Sequence, residues 1–397
     1  MDYDYNSARL IAAQRNSGFW QTQDRCFFNK IECLKYALKL QTNRVSFHFY
    51  DEIYSSYNWK TEPIETLEEL YKERAIQLRE KHKHLVLMIS GGADSTNMLQ
   101  SFLKNNIKVD EIVCVFPLGA IEKLQHTFDP SDKSPQNYMF EYTHAAYPLL
   151  KLVSKNHPEI KITVLDYIND TIDIVENNNF YKLNQSGAIM SVAVGFQYTA
   201  QKYVMSLNKD SALVYAIDKP RIRYNRETKK FESTFPDFST MYGHFDYEVF
   251  NGNQPKIEYF YYTPDLPKIV IKQSIIIKNY LESISLMDNT DSKLYKEMVT
   301  DSRFLRYDIN VHHDLIKKLI YKDWNTEIYQ ATKVSSIFYP EISSWFHDKG
   351  LVSQKLITFH DGQLNELLSG FNRNWITYTP ENKPGSLKFL SSKFYEL

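Results

Sequence analysis

Hydrophobic and polar positions in the middle of the chain follow strand and helix patterns in alternation. Short apolar runs predict buried strands at residues 85–89, 111–116, 160–165 and 212–217. Apolar residues at every third or fourth position predict helices at residues 95–104, 137–156 and 187–207. Strands and helices that alternate in this way build a parallel sheet covered by helices. We therefore expect an α/β fold with a doubly wound parallel sheet.

The segments on either side of this region have other patterns. Helical spacing predicts helices at residues 28–40, 62–81 and 265–282. In the second of these helices, Ile64 and Leu67 belong to the predicted apolar face. Strands are expected at residues 45–50 and at 258–264, where Pro264 would end the strand. The pattern from there to about residue 370 is mostly helical, and residues 372–397 are expected to be irregular.

The length of 397 residues indicates more than one small domain. We expect residues 1–84 to form an extension of helices and short strands packed on the core. Residues 85–223 would form the α/β domain, and residues 224–397 a mainly helical C-terminal lobe that binds the substrate.

Composition narrows the class of protein. A hydrophobic content of 43% is enough for a full core, and a net charge of −1 offers no general attraction to nucleic acid. The three cysteines, Cys26, Cys33 and Cys114, are scattered without a Cys-x-x-Cys pair, which is typical of a reducing compartment. The sequence has no signal-peptide pattern and no apolar run of membrane-spanning length. We therefore expect a cytoplasmic protein with no membrane partner.

The segment that follows the first predicted strand carries the clearest chemistry. Ser90, Gly91 and Gly92 offer a hydroxyl and backbone N–H donors with little steric bulk. Asp94, Ser95 and Thr96 then open a helix, whose N-terminus favours an anion. This arrangement predicts a polyphosphate site, for ATP in the simplest case. The sequence has no Gly-x-x-x-x-Gly-Lys-[Ser/Thr] motif, so the site is not predicted to be a Walker-type phosphate loop.

The order Ser-Gly-Gly-x-Asp-Ser at residues 90–95 resembles the signature of the PP-loop, or N-type ATP pyrophosphatase, superfamily. The resemblance extends over residues 67–223 to the synthetase domain of asparagine synthetases. It implies an adenine nucleotide alpha hydrolase (HUP-like) fold. It also implies that the loop holds the pyrophosphate of ATP while the α-phosphorus is attacked, so that AMP is attached to a substrate. A tight strand-to-helix turn without a ligand is the alternative.

A second charged turn follows the strand predicted at residues 212–217. Asparagine synthetases have a glycine-rich acidic turn at the corresponding place, and here only Asp218 matches it in character. Lys219, Arg221 and Arg223 stand in place of the other residues, and such cations would stabilise a departing pyrophosphate. Asp94 and Asp218 together offer the oxygen ligands that Mg²⁺ prefers. The alternatives are a solvated turn and, for Asp94, a helix cap.

The resemblance implies further site residues. Adenosine would lie at the end of the second strand, near Phe116, with Gly187 allowing close approach. Asparagine synthetases also use a lysine from their later region; Lys268, Lys272 and Lys278 are the candidates, and Lys272 is taken as catalytic. Turn residues and a solvated helix face are the alternatives. The stretch 259–262 would line an acceptor pocket or belong to the core, and His312-His313 lacks metal-ligand spacing.

Glutamine-dependent asparagine synthetases begin with a catalytic cysteine directly after the initiator Met, whereas Asp2 follows Met1 here and only 84 residues precede the loop strand. We therefore expect no glutaminase domain before the loop. The expected function is an ATP-dependent ligase that adenylates a carboxylate and transfers it to ammonia or an amine, supplied freely or by a separate glutaminase. The alternatives are a PP-loop enzyme that modifies a nucleobase in RNA or DNA, and a non-catalytic nucleotide-binding protein. Stand-alone proteins that are similar to the synthetase domain of asparagine synthetases occur in phages. An oligomer is compatible with the sequence.

Overall fold

The computed structural model describes residues 2–42, 44–116, 118–119, 141–167, 169–170, 194–237, 255–300, 305–324 and 390–397. The N-terminal elements are α1 (Tyr5–Arg15), β1 (Phe19–Thr22), β2 (Arg25–Phe27), α2 (Lys30–Lys39), β3 (Val45–His48), α3 (Asp51–Ser55) and α4 (Leu67–Lys81). The middle of the chain has β4 (His84–Met88), α5 (Ala93–Leu103), β5 (Glu111–Phe116), a π-helical turn (Tyr142–Ala146), α6 (Tyr147–Asn156), β6 (Lys161–Asp166), α7 (Val194–Ser206) and β7 (Ser211–Tyr215). The later elements are β8 (Arg221–Asn225), β9 (Lys230–Thr234), β10 (Lys256–Tyr259), α8 (Lys268–Ser283), α9 (Lys293–Met298), β11 (Val299–Thr300), β12 (Arg306–Ile309), α10 (Asp314–Ile320) and β13 (Tyr395–Glu396).

The centre of the fold is a five-stranded sheet in the order β10-β7-β4-β5-β6, with every pairing parallel. The α/β class with a parallel sheet is therefore confirmed. The four strands predicted in the middle of the chain are β4 to β7, with bounds that differ by at most two residues. Strands β4, β5 and β7 are buried along almost their whole length, which explains their continuous apolar runs.

The strand order creates a point where the winding of the sheet reverses. From β4 the chain proceeds to β5 and then β6 on one side, and it later returns to β7 and β10 on the other side. This order is compatible with a doubly wound fold, in which ligands bind outside the carboxyl ends of the strands at the reversal. Met88 lies opposite Tyr215 in the β4–β7 register, so the segments that follow these two strands start side by side.

Helix α4 begins later than the sequence pattern predicts. Thr66 caps it, with its hydroxyl accepting from the Glu69 N–H, while the Glu69 carboxylate accepts from the Thr66 N–H at 2.8 Å. This reciprocal capping box stabilises a helix start at Leu67. Ile64 therefore precedes the helix and is exposed, and its expected place on the buried face was wrong.

The N-terminal region packs against the rest of the chain through aromatic side chains. It contains a three-stranded antiparallel sheet in the order β2-β1-β3. Phe49 and Tyr54 contact Phe235, with ring centroids 5.3 and 4.4 Å apart, and Trp59 stacks on Tyr395 at 4.5 Å. These residues belong to one buried cluster that also includes the strands of the parallel sheet.

A second sheet lies in the region expected to be mainly helical. Strands β11, β12, β8, β9 and β13 form an antiparallel sheet in that order. The sequence did not indicate these strands, because charged side chains such as Arg223, Glu232 and Asp308 occupy positions that face one another across neighbouring strands. Residues 325–389 lie outside the described residues. They include part of the region predicted to be mostly helical and most of the tail predicted to be irregular. Within the described part of the chain, no helix combines the length and apolar character needed to cross a membrane.

Candidate functional site

The loop between β4 and α5 lies at the carboxyl edge of the parallel sheet. The Ser90 hydroxyl lies 3.2 Å from the Ser95 hydroxyl and accepts from the Gly92 N–H at 3.3 Å. The Thr96 hydroxyl donates to the Gly91 carbonyl at 3.3 Å. Gly92 is the N-cap of α5 and has no side chain to bond the first-turn N–H groups. The loop thus places the exposed Ser90 beside a helix N-terminus, which suits an anionic ligand, while Ser95 and Thr96 are buried behind it.

Gly91 is required by the shape of this loop. Its φ is +81°, in the left-handed region that other residues rarely adopt. A Cβ there would also lie 2.5 Å from the backbone nitrogen of Ala146, in the π-helical turn. The loop therefore packs directly on that turn. Gly92, in contrast, has an extended backbone. A Cβ added there would lie no closer than 3.4 Å to its nearest neighbour, the Ser90 hydroxyl.

The second charged turn, which follows β7, meets this loop. The Lys219 ammonium donates to the Asp94 carboxylate and lies 3.9 Å from the nearer oxygen of Asp218. The Lys219 N–H also donates to Asp218 Oδ1 at 2.7 Å. The Lys219 side chain is 1% exposed, whereas those of Asp94 and Asp218 are 16% and 22% exposed. The site therefore has two partly accessible carboxylates with a buried ammonium between them.

Hydrogen bonds from three buried tyrosines hold this charged group in place. Tyr321, which follows α10, donates from its hydroxyl to Asp94 Oδ1 at 2.5 Å. Tyr261 donates to the Asp94 backbone carbonyl at 2.9 Å, and it accepts from the Asn97 amide at 2.9 Å. The Tyr262 hydroxyl donates to the Lys219 carbonyl. All three tyrosines are fully or almost fully buried, so they fix the charged side chains rather than face solvent.

Burial and nearby charge keep these hydroxyls protonated. Burial raises the pKa of the Tyr321 hydroxyl well above its usual value, and the negative charge of Asp94 raises the pKa further. The pKa of Tyr262 is raised in the same direction, by burial first and then by Asp218. The tyrosines therefore act as hydrogen-bond donors to the site.

Segment 260–262 continues from β10 toward the site. The Phe260 N–H donates to the Tyr215 carbonyl at 2.9 Å, and the N–H groups of Tyr261 and Tyr262 donate to the Ile217 carbonyl at 3.1 and 2.9 Å. The aromatic stretch 259–262 is thus part of the buried core, one of the two readings of the sequence. Its hydroxyls nevertheless reach Asp94 and Lys219.

The strand end expected beside adenosine has its own polar contact. Phe116 ends β5, and its ring centroid lies 5.1 Å from that of Tyr142 in the π-helical turn. Gly119 donates from its N–H to Asp166 Oδ2 at 2.8 Å, which joins the ends of β5 and β6. Gly187 lies outside the described residues.

The arginines of the second turn are paired on the antiparallel sheet. Arg221 contacts Asp308 Oδ2 at 2.7 Å, and Arg223 contacts Asp308 Oδ1 at 2.6 Å. Burial lowers the pKa of Arg223 to about 10, against the opposite effect of Asp308. The positive charge of Arg221 acts on the Tyr262 hydroxyl together with the charges of Asp218 and Asp94. Arg221 therefore lies in the electrostatic neighbourhood of the site and shares the single carboxylate of Asp308 with Arg223.

The later lysines lie elsewhere on α8. The Lys272 ammonium contacts Glu62 at 2.6 Å and donates to the Pro63 carbonyl at 2.9 Å. Lys268 binds Glu65, and Lys278 contacts Glu282 one turn further along the helix at 2.7 Å. The contacts of Lys268 and Lys272 join α8 to the segment before α4, whereas that of Lys278 stays within the helix. The structure thus brings Lys219, and not Lys272, into contact with Asp94.

Sequence reasoning missed the role of Tyr321. It lies 227 residues from Asp94 in the chain, and no local pattern marks it.

The histidine pair His312-His313 lies at the start of α10. His313 caps this helix by accepting from the Leu315 N–H at 3.4 Å.

The donor set fits a magnesium ion only with help from a ligand. No group of three or more histidine, cysteine, aspartate or glutamate side chains with suitable geometry is found in the described part of the chain. Asp94 and Asp218 provide two carboxylates, and Mg²⁺ commonly takes one or two from the protein and the rest from phosphates and water. The arrangement is therefore suited to a metal that arrives with a phosphate compound. The chain matches no protein-family model, and no curated protein matches it.

Proposed function

We propose that this protein is an AMP-forming, ATP-dependent synthetase of the PP-loop type, with an asparagine-synthetase-like catalytic domain. The observation that carries the proposal is the contact between the Asp94 carboxylate and the Lys219 ammonium, which joins the loop after β4 to the turn after β7. Both segments follow the carboxyl ends of neighbouring parallel strands, where the winding reverses and nucleotides usually bind. The finer assignment to the HUP-like fold is part of this proposal.

In the proposed reaction a substrate carboxylate oxygen attacks the α-phosphorus of ATP. The new oxygen–phosphorus bond forms as the bond to the bridging oxygen breaks, and the electron pair leaves with pyrophosphate. Ser90, Ser95 and the N–H groups at the start of α5 bind the departing phosphates. Lys219 stabilises the negative charge that builds on them. Ammonia or an amine then attacks the acyl carbon, and AMP leaves.

Magnesium, once bound, would neutralise charge on the phosphates. Asp94 and Asp218 are the residues that would hold it, as described above. Tyr321 and Tyr261 keep Asp94 in place, and Tyr262 fixes the backbone of Lys219. Adenosine would lie toward the end of β5, near Phe116.

The cysteines argue against a thiol-dependent nucleobase-modifying enzyme. All three cysteines of the chain are described and buried. Burial raises the pKa of Cys33 and Cys114 to about 12 and that of Cys26 to about 11. Nucleophilic sulfur chemistry needs a thiolate, so these side chains are poorly suited to it. This observation favours the ligase over the thiolation alternative.

The decisive experiment identifies the products formed from ATP. The full chain is incubated with α-labelled ATP, Mg²⁺ and pooled carboxylates, amines or nucleic acids, and the labelled product is separated. AMP and pyrophosphate are expected in the pool that contains the substrate, whereas ADP and phosphate would refute the mechanism. Asp94→Asn should abolish the release of pyrophosphate. Asp210→Asn, which removes a half-exposed carboxylate paired with Lys83, is the matched control and should retain it.

A further inference from the structure

The buried lysine of the site lies beside both carboxylates that are proposed to hold magnesium. The Lys219 ammonium bonds one oxygen of Asp94 and lies 3.9 Å from Asp218. Two carboxylates and one ammonium leave a single net negative charge in this group. The Lys219 side chain is almost completely shielded from water, so its charge is felt strongly by any ion at the carboxylates.

The surrounding contacts hold the lysine in this position. Its carbonyl accepts from Tyr262, and its N–H donates to Asp218 at 2.7 Å. The other oxygen of Asp94 is bound by Tyr321 at 2.5 Å, so the carboxylate has donors on both sides. The ammonium also lies 5.8 Å from the centroid of the Tyr321 ring, within range of a cation–π interaction.

We propose that Lys219 makes the site selective for a metal–nucleotide complex over a free divalent cation. Lys219 acts as an internal counter-ion that repels a divalent cation arriving alone. Phosphate oxygens offer Lys219 a stronger set of acceptors, so its ammonium moves from Asp94 to the phosphates when nucleotide binds. The carboxylate of Asp94 is then released for the metal. This inference rests on the proposed function, since it requires that the ligand carry phosphates.

The same geometry predicts what happens when the lysine charge is removed. Lys219→Met removes one positive charge from beside the two carboxylates. A divalent cation should then bind in the absence of nucleotide. Lys219→Gln removes the charge but keeps a hydrogen-bond donor for Asp94. It therefore distinguishes the effect of removing the repulsion of a divalent cation from the effect of losing the hydrogen bond to Asp94. Lys83→Met, at an 83% exposed lysine that pairs with Asp210, is the matched control.

The test measures binding of Mn²⁺ alone by electron paramagnetic resonance, on protein whose fold is checked by circular dichroism. We expect Lys219→Met and Lys219→Gln to bind Mn²⁺ about tenfold or more tightly than the wild type. The Lys83→Met control should match the wild type. The double variant Asp94→Asn/Lys219→Gln should lose the gain, because it removes a ligand. Equal Mn²⁺ affinity of the wild type and both neutral Lys219 variants would overturn the proposal.

A second measurement separates this inference from the proposed function. In the wild type, the α,β-methylene analogue of ATP should strengthen Mn²⁺ binding about tenfold or more, and the neutral Lys219 variants should show a smaller increase. An increase of the same size in the variants would also overturn the role of Lys219. Failure of the wild type to bind the analogue would instead contradict the proposed function, whereas the comparison with Mn²⁺ alone tests Lys219 independently.

Discussion

Tyr321 donates a hydrogen bond to Asp94 across 2.5 Å, although 227 positions separate the two residues in the chain. The contact joins the segment after α10 to the first turn of α5. Tyr71 supports the same segment, since its hydroxyl donates to the Ile320 carbonyl at 2.8 Å and accepts from the Gln273 amide at 2.9 Å. The position of Asp94 therefore depends on elements that precede it and elements that follow it in the chain.

Tyr321→Phe should weaken nucleotide binding more than it weakens the fold. A hydrogen bond to a charged group contributes about 1.5–3 kcal/mol, so we expect the affinity for Mg²⁺-ATP to fall about tenfold or more. Isothermal titration calorimetry measures the affinity, and thermal unfolding measures stability. Tyr57→Phe, at a partly exposed tyrosine, is the control and should leave both unchanged. An unaltered affinity in Tyr321→Phe would show that Asp94 is positioned without this hydroxyl.

The two glycines of the loop should respond differently to alanine. Gly91→Ala forces a residue into left-handed backbone, at about 1–2 kcal/mol, and drives its Cβ against the backbone of Ala146. We expect the free energy of unfolding to fall by about 2 kcal/mol or more. Gly92→Ala adopts its observed backbone without strain and should change stability by about 0.5 kcal/mol at most. Urea unfolding of both variants checks this difference, and similar losses would contradict the close packing of Gly91.

Acid should destabilise the protein through Glu258. Burial raises the pKa of Glu258, but the His82 hydrogen bond and the charges of Arg74 and Lys81 outweigh it and lower the pKa to about 2. The folded-state pKa lies below the unfolded value of 4.5, so the ionised group stabilises the fold above that pH. This contribution is lost as the pH falls from 4.5 toward 2.

Glu258→Gln tests this pH dependence. The variant should be less stable at neutral pH by about 3 kcal/mol, because Arg74 is left in the interior without this partner. Its stability should fall less steeply than that of the wild type as acid is added, because one proton-binding group is missing. Urea unfolding at several pH values measures both effects, with Glu159→Gln as an exposed control. Parallel pH curves for the variant and the wild type would refute the assignment.

The cysteines should be unreactive in the folded protein. Burial raises the pKa of each thiol, to about 11 for Cys26 and about 12 for Cys33 and Cys114, so almost no thiolate forms at neutral pH. We expect no modification by iodoacetamide until the protein is denatured, and then modification of all three residues. Mass spectrometry counts the labels. Rapid labelling of the native protein would reopen thiol-dependent chemistry.

Local sequence patterns predicted those features whose causes are local. The apolar runs of β4, β5 and β7 are continuous because neighbouring layers bury both faces of these strands. The glycines and hydroxyls of the loop are adjacent in sequence, so their shared position at a helix N-terminus could be inferred directly. The predicted start of α4 was too early, because the helical spacing of apolar residues already includes Ile64, which lies before the capping box at Thr66.

The antiparallel sheet could not be predicted in the same way. Arg223 and Asp308 meet across β8 and β12, yet they lie far apart in the chain, and each by itself looks like a solvated charge. Their pairing depends on strand register. Register is set by the whole sheet rather than by the neighbours of either residue.

The sequence by itself determined the parallel strands, the loop at residues 90–95 and the charged turn that contains Asp218 and Lys219. Only the tertiary structure decided that Lys219 meets Asp94, that Tyr321 and Tyr261 hold Asp94, and that Lys272 pairs with Glu62 instead. The physical reason is the strand order. Because β4 lies between β5 and β7, two segments 125 residues apart emerge side by side, and no local pattern encodes that neighbourhood.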